Sequence, residues 1–495
     1  MDCLVQMQKR PKIIDMIEKF QLSAAYPVLF AILCLISGLG NKRVYLPIIS
    51  LLVLFVIFSI LFVRDVRVFI VPIFMIYYSL GTDTPSAFSA SNGNVIAAFD
   101  KDGFVGICIL AAVVVPLFLI RFIKEGAFTL AFKEKSVTLY GIIALNIAIM
   151  IGGAFSPYWS PKELFYALSL VAGLDVFYLV MYYIVRRSGA SVISYACKVL
   201  VLTSLVIATQ ICFVVLRNYL NGTLIFRYNS NSRWILLREN LCLSWGISNI
   251  ICASCAAGIP ASLYLAKNER HPYLYCVSAI VMWLISILIN TRSAMLVGGF
   301  MLCVGLITIS FVGKNKWKNL AFLISFIIVG TISVLFLYDN LSNILGSEEL
   351  FSKISKFLRF DSVNDRIKAF RIGIQDFQDH FVFGVGWTKG VNSSPSAPLN
   401  FYSKMYHCIV IQMGASAGIV GLVALGFHAK DILYLSFKRA CIDRLLLLSV
   451  PLIILLMSLV DNFFFYLNIQ IFYVTFLCLA EEHLKPNKKD YSSRL

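Results

Sequence analysis

The sequence predicts an all-α, polytopic integral membrane protein, and three observations predict it. Of 495 residues, 59% are hydrophobic and only 14% are charged, where soluble domains carry roughly 45–50% apolar and about 25% charged residues. Apolar runs near the bilayer-crossing length of about 20 residues recur along the chain, and a helix of that length satisfies every backbone N–H and C=O internally. Basic residues gather in alternate connections between these runs. The ten-residue alternation of a transmembrane barrel is absent, and a mean hydropathy of +0.82 excludes a water-soluble fold.

The runs predict about fourteen helices, centred near Ile32, Val53, Phe74, Ala112, Leu145, Ala172, Val206, Ala253, Met282, Leu302, Ile328, Ser416, Ile453 and Tyr473. An even count places both termini on one side. The connections after every second helix carry Arg64/Arg67, Lys124/Lys133/Lys135, Arg186/Arg187, Lys267/Arg270, Lys314/Lys316/Lys318 and Lys430/Lys438/Arg439/Arg444. With the basic residues near both ends, that side is expected to be cytoplasmic by the positive-inside rule. Segment 1–20 is then a cytoplasmic N-terminal stretch, 21–480 the membrane domain and 481–495 a cytoplasmic tail. Residues 1–20 mix acids with bases and no clear cleavage site follows, so the first helix is expected to be retained.

This topology explains more than half of the basic residues behind the net charge of +17, so the charge does not point to nucleic acid. It leaves an external excess that includes Arg217, Arg227, Arg233, Arg238, Arg292, Arg359, Arg366 and Arg371. The thirteen cysteines are scattered, many within apolar runs where Cys acts as a small hydrophobe, and no disulfide or metal-ligand spacing stands out.

Three external connections are long, near 81–103, 216–241 and 338–406, and long loops are usually functional or disordered. The first is rich in Ser, Asn and Gly. The second sets four arginines among aromatic and apolar residues, a composition suited to a headgroup layer. The third is expected to hold short amphipathic helices. Leu350, Ile354, Phe357 and Leu358 share a face opposite Lys353, Lys356 and Arg359. Ser362 to Asp365 reads as a capping box, followed by a stripe of Ile367, Phe370, Ile374 and Phe377. Arg366 and Arg371 are expected to border that stripe on either edge.

Within these loops a few residues could carry chemistry. His407 opens a helix whose N-terminus opposes the imidazolium, leaving a base able to accept a proton. Arg292 occupies a tight connection between apolar helices, where it snorkels or meets an anion, and its planar fork matches phosphate oxygens. Asp461 lies at an external helix junction beside Asn462, while Asp175 is embedded in an apolar helix. The run Gly384-Val-Gly386-Trp387 lacks the Lys-Ser/Thr of a phosphate loop and reads better as a tight turn.

Three blocks, ILINTRSAMLVGGF, RIKAFRIGIQDFQDHFVFGVGW and YHCIVIQMGASAGIVGLVAL, together resemble the O-antigen polymerase and ligase family of bacterial envelope glycosyltransferases. LSWGISNIICASCAAGIP resembles the family's helix after an earlier arginine-bearing loop, so the likeness covers roughly 240–430. Cys408 after His407, and Thr291-Arg292-Ser293, depart from the commoner family forms. The resemblance implies a GT-C-like enzyme of the bacterial cytoplasmic membrane, with its site on the external, periplasmic face. That enzyme would transfer a glycan from an undecaprenyl-diphosphate carrier to a sugar hydroxyl without a metal or other cofactor. His407, Arg292 and Arg366 would be catalytic, and Arg371, Arg227, Arg238 and Asp461 would bind diphosphate or glycan. Implied partners are the lipid-linked oligosaccharide, membrane lipids, a chain-length regulator and a flippase. Polymerase is favoured over ligase, and a lipid-linked oligosaccharide flippase is the alternative from another class.

Overall fold

The computed structural model describes residues 12–39, 42–79, 101–220, 242–243, 246–289, 291–345, 363–387 and 406–484. A helix α1 (Lys12–Leu22) meets α2 (Ala25–Leu39) at a bend of 76°. Next come α3 (Lys42–Phe62), a short α4 (Ile70–Met75), α5 (Lys101–Lys124), α6 (Ala127–Lys133), α7 (Leu139–Ala154), α8 (Pro161–Ser188) and α9 (Ser191–Leu220). Two-residue antiparallel strands β1 (Cys242–Leu243) and β2 (Gly246–Ile247) lead into α10 (Ser248–Ala256) and its continuation α11 (Gly258–Asn268). The remainder is α12 (Pro272–Leu288), α13 (Arg292–Phe311), α14 (Lys316–Leu345), α15 (Val363–Asp379), α16 (Ile409–Phe437), α17 (Ile442–Ser458) and α18 (Leu467–Leu484).

Each expected helix centre falls within a helical element. Among the described residues, however, five helices are long and apolar enough to cross a membrane, or six if the bent α1–α2 pair counts as one span. The run near Phe74 departs most from expectation. Asp65 caps a 3-10 turn at Val66–Phe69 by accepting from Arg67 N, and after α4 a second 3-10 turn covers Ile76–Ser79. Pro72, which has no N–H to give a helix, sits inside the short middle piece. The last long connection also starts later than expected, because α14 continues to Leu345. The amphipathic segment expected at 350–359, Arg227, Arg238 and Ser362 lie outside the described residues.

Apolar patterning decides which helices are interior. From Asn468 to Glu481 every residue of α18 is buried, as is Gly258–Lys267 of α11, the mark of helices surrounded by other helices. Along α13, by contrast, Leu296, Phe300, Val304, Ile307 and Phe311 form one exposed apolar stripe. Water would not tolerate so long a stripe, and lipid does.

The direction of the helices sorts the polar residues into two ends. At one end Lys267 closes α11 against Asp443 of α17 at 2.9 Å, Arg186 pairs with Glu134 and Glu482, and Lys198 pairs with Glu269 at 2.9 Å. Glu481 accepts from Ser136 Oγ at 2.6 Å beside the start of α7. The other end therefore gathers the end of α7, the starts of α8, α10, α16 and α18, and the turn after α17. Arg292 belongs to it too, since α13 finishes beside Lys267, where Asn315 Nδ2 donates to Ala266 O at 3.1 Å.

Candidate active site

His407, Asp461 and Arg366 meet at that second end. Asp461 sits in the turn between α17 and α18, held by its own N–H donating to Met457 O at 3.1 Å. One carboxylate oxygen, Oδ1, accepts from the backbone of Asn462 at 2.8 Å and lies 3.2 Å from His407 Nδ1. The other, Oδ2, accepts from Asn249 Nδ2 at 2.8 Å, with Arg366 Nη2 at 4.0 Å. Only 8% of the Asp461 side chain is exposed, against 39% for His407 and 28% for Arg366.

Electrostatics keep that buried acid ionised. Burial pushes its pKa up most strongly, but the hydrogen bond and charge of His407, the Asn462 N–H and the Arg366 charge outweigh it and hold Asp461 below the usual carboxylate range. An ionised carboxylate only accepts, so the imidazole nitrogen facing it is the N–H. In neutral His407 the lone pair is then on Nε2, directed away from Asp461. This is the tautomer logic by which a carboxylate orients a general base.

The backbone around His407 is strained and firmly held. Its φ is +55°, a left-handed conformation uncommon outside glycine. Gln412, buried in the first turn of α16, clamps it: Oε1 accepts from Tyr406 N at 3.1 Å and from Asn462 Nδ2 at 2.7 Å, and Nε2 donates to Ser416 Oγ at 2.8 Å. Tyr406 OH donates to Asp376 of α15 at 2.5 Å. Gly373, one helical turn before, leaves room for the ring, since a Cβ there would lie 2.8 Å from Tyr406 Cδ1.

Helix α15 is turned differently from the expected stripe. Gly373 and Asp376 are buried and Phe370 and Phe377 half-buried, whereas Ile367 and Ile374 are exposed. Arg366 lies on the packed side, where Nη1 donates to Val460 O at 2.6 Å. Arg371 follows about 140° further round at 100° per residue and is exposed. The two arginines therefore do not border one face. The packed face is set by the close approach at Gly373, which a count of large apolar residues overlooks.

Residues Gly384 to Trp387 bind protein. Val385 N donates to Ala415 O at 2.7 Å and Gly386 N to Ser416 O at 3.1 Å, while Ile419 N donates to Phe381 O at 2.7 Å. These bonds repair α16 where Gly418, at φ +65° and ψ −153°, interrupts its ladder. Trp387 is buried, its N–H donating to Glu163 Oε2 at 2.7 Å and its indole to Ile149 O at 3.0 Å. With those amides engaged, the run acts as a tight splice.

Arg292 starts α13 at the same end, half-buried, and no ion pair or hydrogen bond joins it to His407, Asp461 or Arg366. Asp175 accepts from Asn146 within the bundle, apart from this site.

A family model described as O-Antigen ligase matches residues 277–426. Over that segment the chain is similar to the O-antigen ligase family. The matched segment runs from α12 into α16 and contains Arg292, Arg366, Arg371 and His407, while Asn249 and Asp461 reach the site from outside it. The match supports a polymerase- or ligase-type function in general terms. No curated protein matches the chain. Asn249, Gln412, Asn462, Tyr406 and Asp376 were not singled out from sequence for this site. The two blocks that carry the resemblance around Asn249 and Gln412 were the only signal, since a neutral amide on an apolar helix is otherwise ordinary.

Proposed function

We propose that this protein is a polysaccharide polymerase that moves a growing glycan from an undecaprenyl-diphosphate carrier to a sugar hydroxyl of a lipid-linked repeat unit. The observation that carries the reading is the His407–Asp461 pair with Arg366 beside it, His407 and Arg366 lying on the segment that matches the O-antigen ligase family model. The acceptor oxygen attacks the anomeric carbon as the bond from that carbon to the diphosphate oxygen breaks. His407 Nε2 takes the hydroxyl proton, and the diphosphate leaves with the bonding electron pair. Arg366, with Arg292 at the same end, holds the diphosphate and stabilises its growing charge; removing one such donor typically costs about 10²–10³ in rate. Asp461 orients His407 and stabilises the imidazolium. Arg371, Arg227 and Arg238 are assigned to the carrier or glycan, and chain-length regulator and flippase are the proteins proposed to work beside it.

By the positive-inside rule, the end bearing Arg186, Lys267 and Lys430 is cytoplasmic and this site faces outward across the cytoplasmic membrane. The deciding experiment uses purified full-length protein and lipid-linked repeats in detergent, where there are no two sides to transport between. Polymer formation supports the enzyme; none, with repeats unchanged, overturns it in favour of transport. The His407→Asn variant keeps a residue type that tolerates left-handed backbone and should leave single repeats on lipid.

The second reading is a ligase, favoured by the description of the matching family. Deletion of the protein separates the two. Loss of a polymerase leaves single repeats, and loss of a ligase leaves long chains on the carrier lipid.

A further inference from the structure

Four lone-pair positions surround the Asp461 carboxylate, and their occupancy is uneven. Oδ1 is saturated by Asn462 N at 2.8 Å and His407 Nδ1 at 3.2 Å. Oδ2 takes one hydrogen bond, from Asn249 Nδ2 at 2.8 Å. Arg366 Nη2 waits 4.0 Å from that same oxygen, about 1 Å beyond a charge-assisted hydrogen bond. Its sister nitrogen Nη1 is tied to Val460 O, the carbonyl one residue before Asp461. Arg366 is thus held beside the carboxylate at the outer limit of an ion pair, short of hydrogen bonding to it.

We propose that Asn249 is a positioning residue that occupies Asp461 Oδ2 and so keeps the Arg366 guanidinium available to an incoming diphosphate. The inference rests on the diphosphate reading of the site. An arginine that forms a two-pronged pair with a buried carboxylate is neutralised, and an anion must then break that pair before it binds. A neutral amide donor at Oδ2 satisfies the carboxylate without supplying a competing charge. It also leaves Oδ1 facing His407, so one amide separates the two duties of the acid, orienting the base and standing beside the cation. Asn249 stands at the start of α10, outside the segment matched by the family model, so the catalytic segment depends on a residue from a neighbouring helix.

The test uses purified full-length protein in lipid nanodiscs with inorganic diphosphate as probe. Asn249→Ala should weaken diphosphate binding about tenfold, about 1.4 kcal/mol, and raise the KM for the lipid-linked donor while lowering kcat less. In the double variant Asn249→Ala/Asp461→Asn the capturing charge is gone, so diphosphate binding should return to near the wild-type value although turnover does not. A purely structural role for Asn249 predicts no such recovery, and unrecovered binding in a folded double variant overturns the proposal. Arg366→Ala is the separate control. If it leaves diphosphate binding unchanged, the diphosphate reading of the site itself fails; if Arg366→Ala weakens binding and Asn249→Ala does not, only the positioning role fails.

Discussion

Asp461 is an acid with 8% of its side chain exposed, and a charge in such a place costs several kcal/mol unless donors surround it. Asn462, Asn249 and His407 supply them, with the Arg366 charge 4.0 Å away. Because its folded pKa is depressed, Asp461 contributes stability above the ordinary carboxylate value of about 3.9. That contribution is lost as pH falls through the lower folded value. Thermal unfolding followed from pH 8 downward should therefore show this contribution holding steady to about pH 4 and fading below it, and Asp461→Asn should remove that acid step. Misorienting a catalytic histidine by an Asp-to-Asn change costs up to about 10⁴ in rate. Asp461→Asn should thus slow chain growth on lipid-linked repeats by at least roughly 10², with donor binding retained; an unchanged rate would remove Asp461 from the proposed mechanism. At this scale the sequence was legible where charge or titration marks a residue. His407, Arg366 and Asp461 stand out in an apolar chain, whereas Asn249 and Gln412 do not, because an amide is read only through the partner it meets.

Helix α16 is the element whose shape matters most to the site. It breaks at Gly418, where a Cβ would lie 2.2 Å from Val382 O, and φ is +65°. Gly418→Ala combines a left-handed strain of about 1–3 kcal/mol with that collision, so it should lower the thermal unfolding midpoint sharply or abolish folded yield in detergent. Gly426, in the same helix, has nothing within 4 Å of an added Cβ. Gly426→Ala should be neutral or stabilise by up to about 1 kcal/mol, as read in the same unfolding assay. The two glycines look alike in the sequence. Helix existence follows from apolar content and is readable, while a break depends on which carbonyls a distant loop will reach. The turn of α15 illustrates the same limit: Ile367 and Ile374 suggested a packed stripe, but the face was chosen by Gly373 against Tyr406 and by Arg366 against Val460.

Over the whole molecule, charge sorts the bundle into an end of paired ions around Lys267, Arg186 and Glu481 and an end that carries His407 and Asp461. Alternation of basic connections announced this division in the sequence, because it reflects helix direction, which simple counting recovers. How many helices span the membrane unaided was less readable, since Leu139–Ala154 and Val66–Ser79 are apolar yet short. Their burial among longer helices makes up what length does not provide. In a cysteine-free background, Arg371→Cys at the exposed side of α15 should react with a membrane-impermeant thiol reagent in intact cells. Lys430→Cys, exposed near the end of α16, should react only after permeabilisation. The reverse pattern would invert the proposed orientation.

The splice of Phe381–Gly386 into the interrupted α16 has a mechanical meaning. Three backbone bonds, from Val385 and Gly386 to the break and from Ile419 back to Phe381, weld α15 and α16 into a single plate, with Arg366 riding on one helix and His407 on the approach to the other. The spacing between the proposed phosphate clamp and the proposed proton acceptor is then a fixed gauge. The Asp461 turn is fastened to the same plate through Val460 and Asn462, so it shares that gauge.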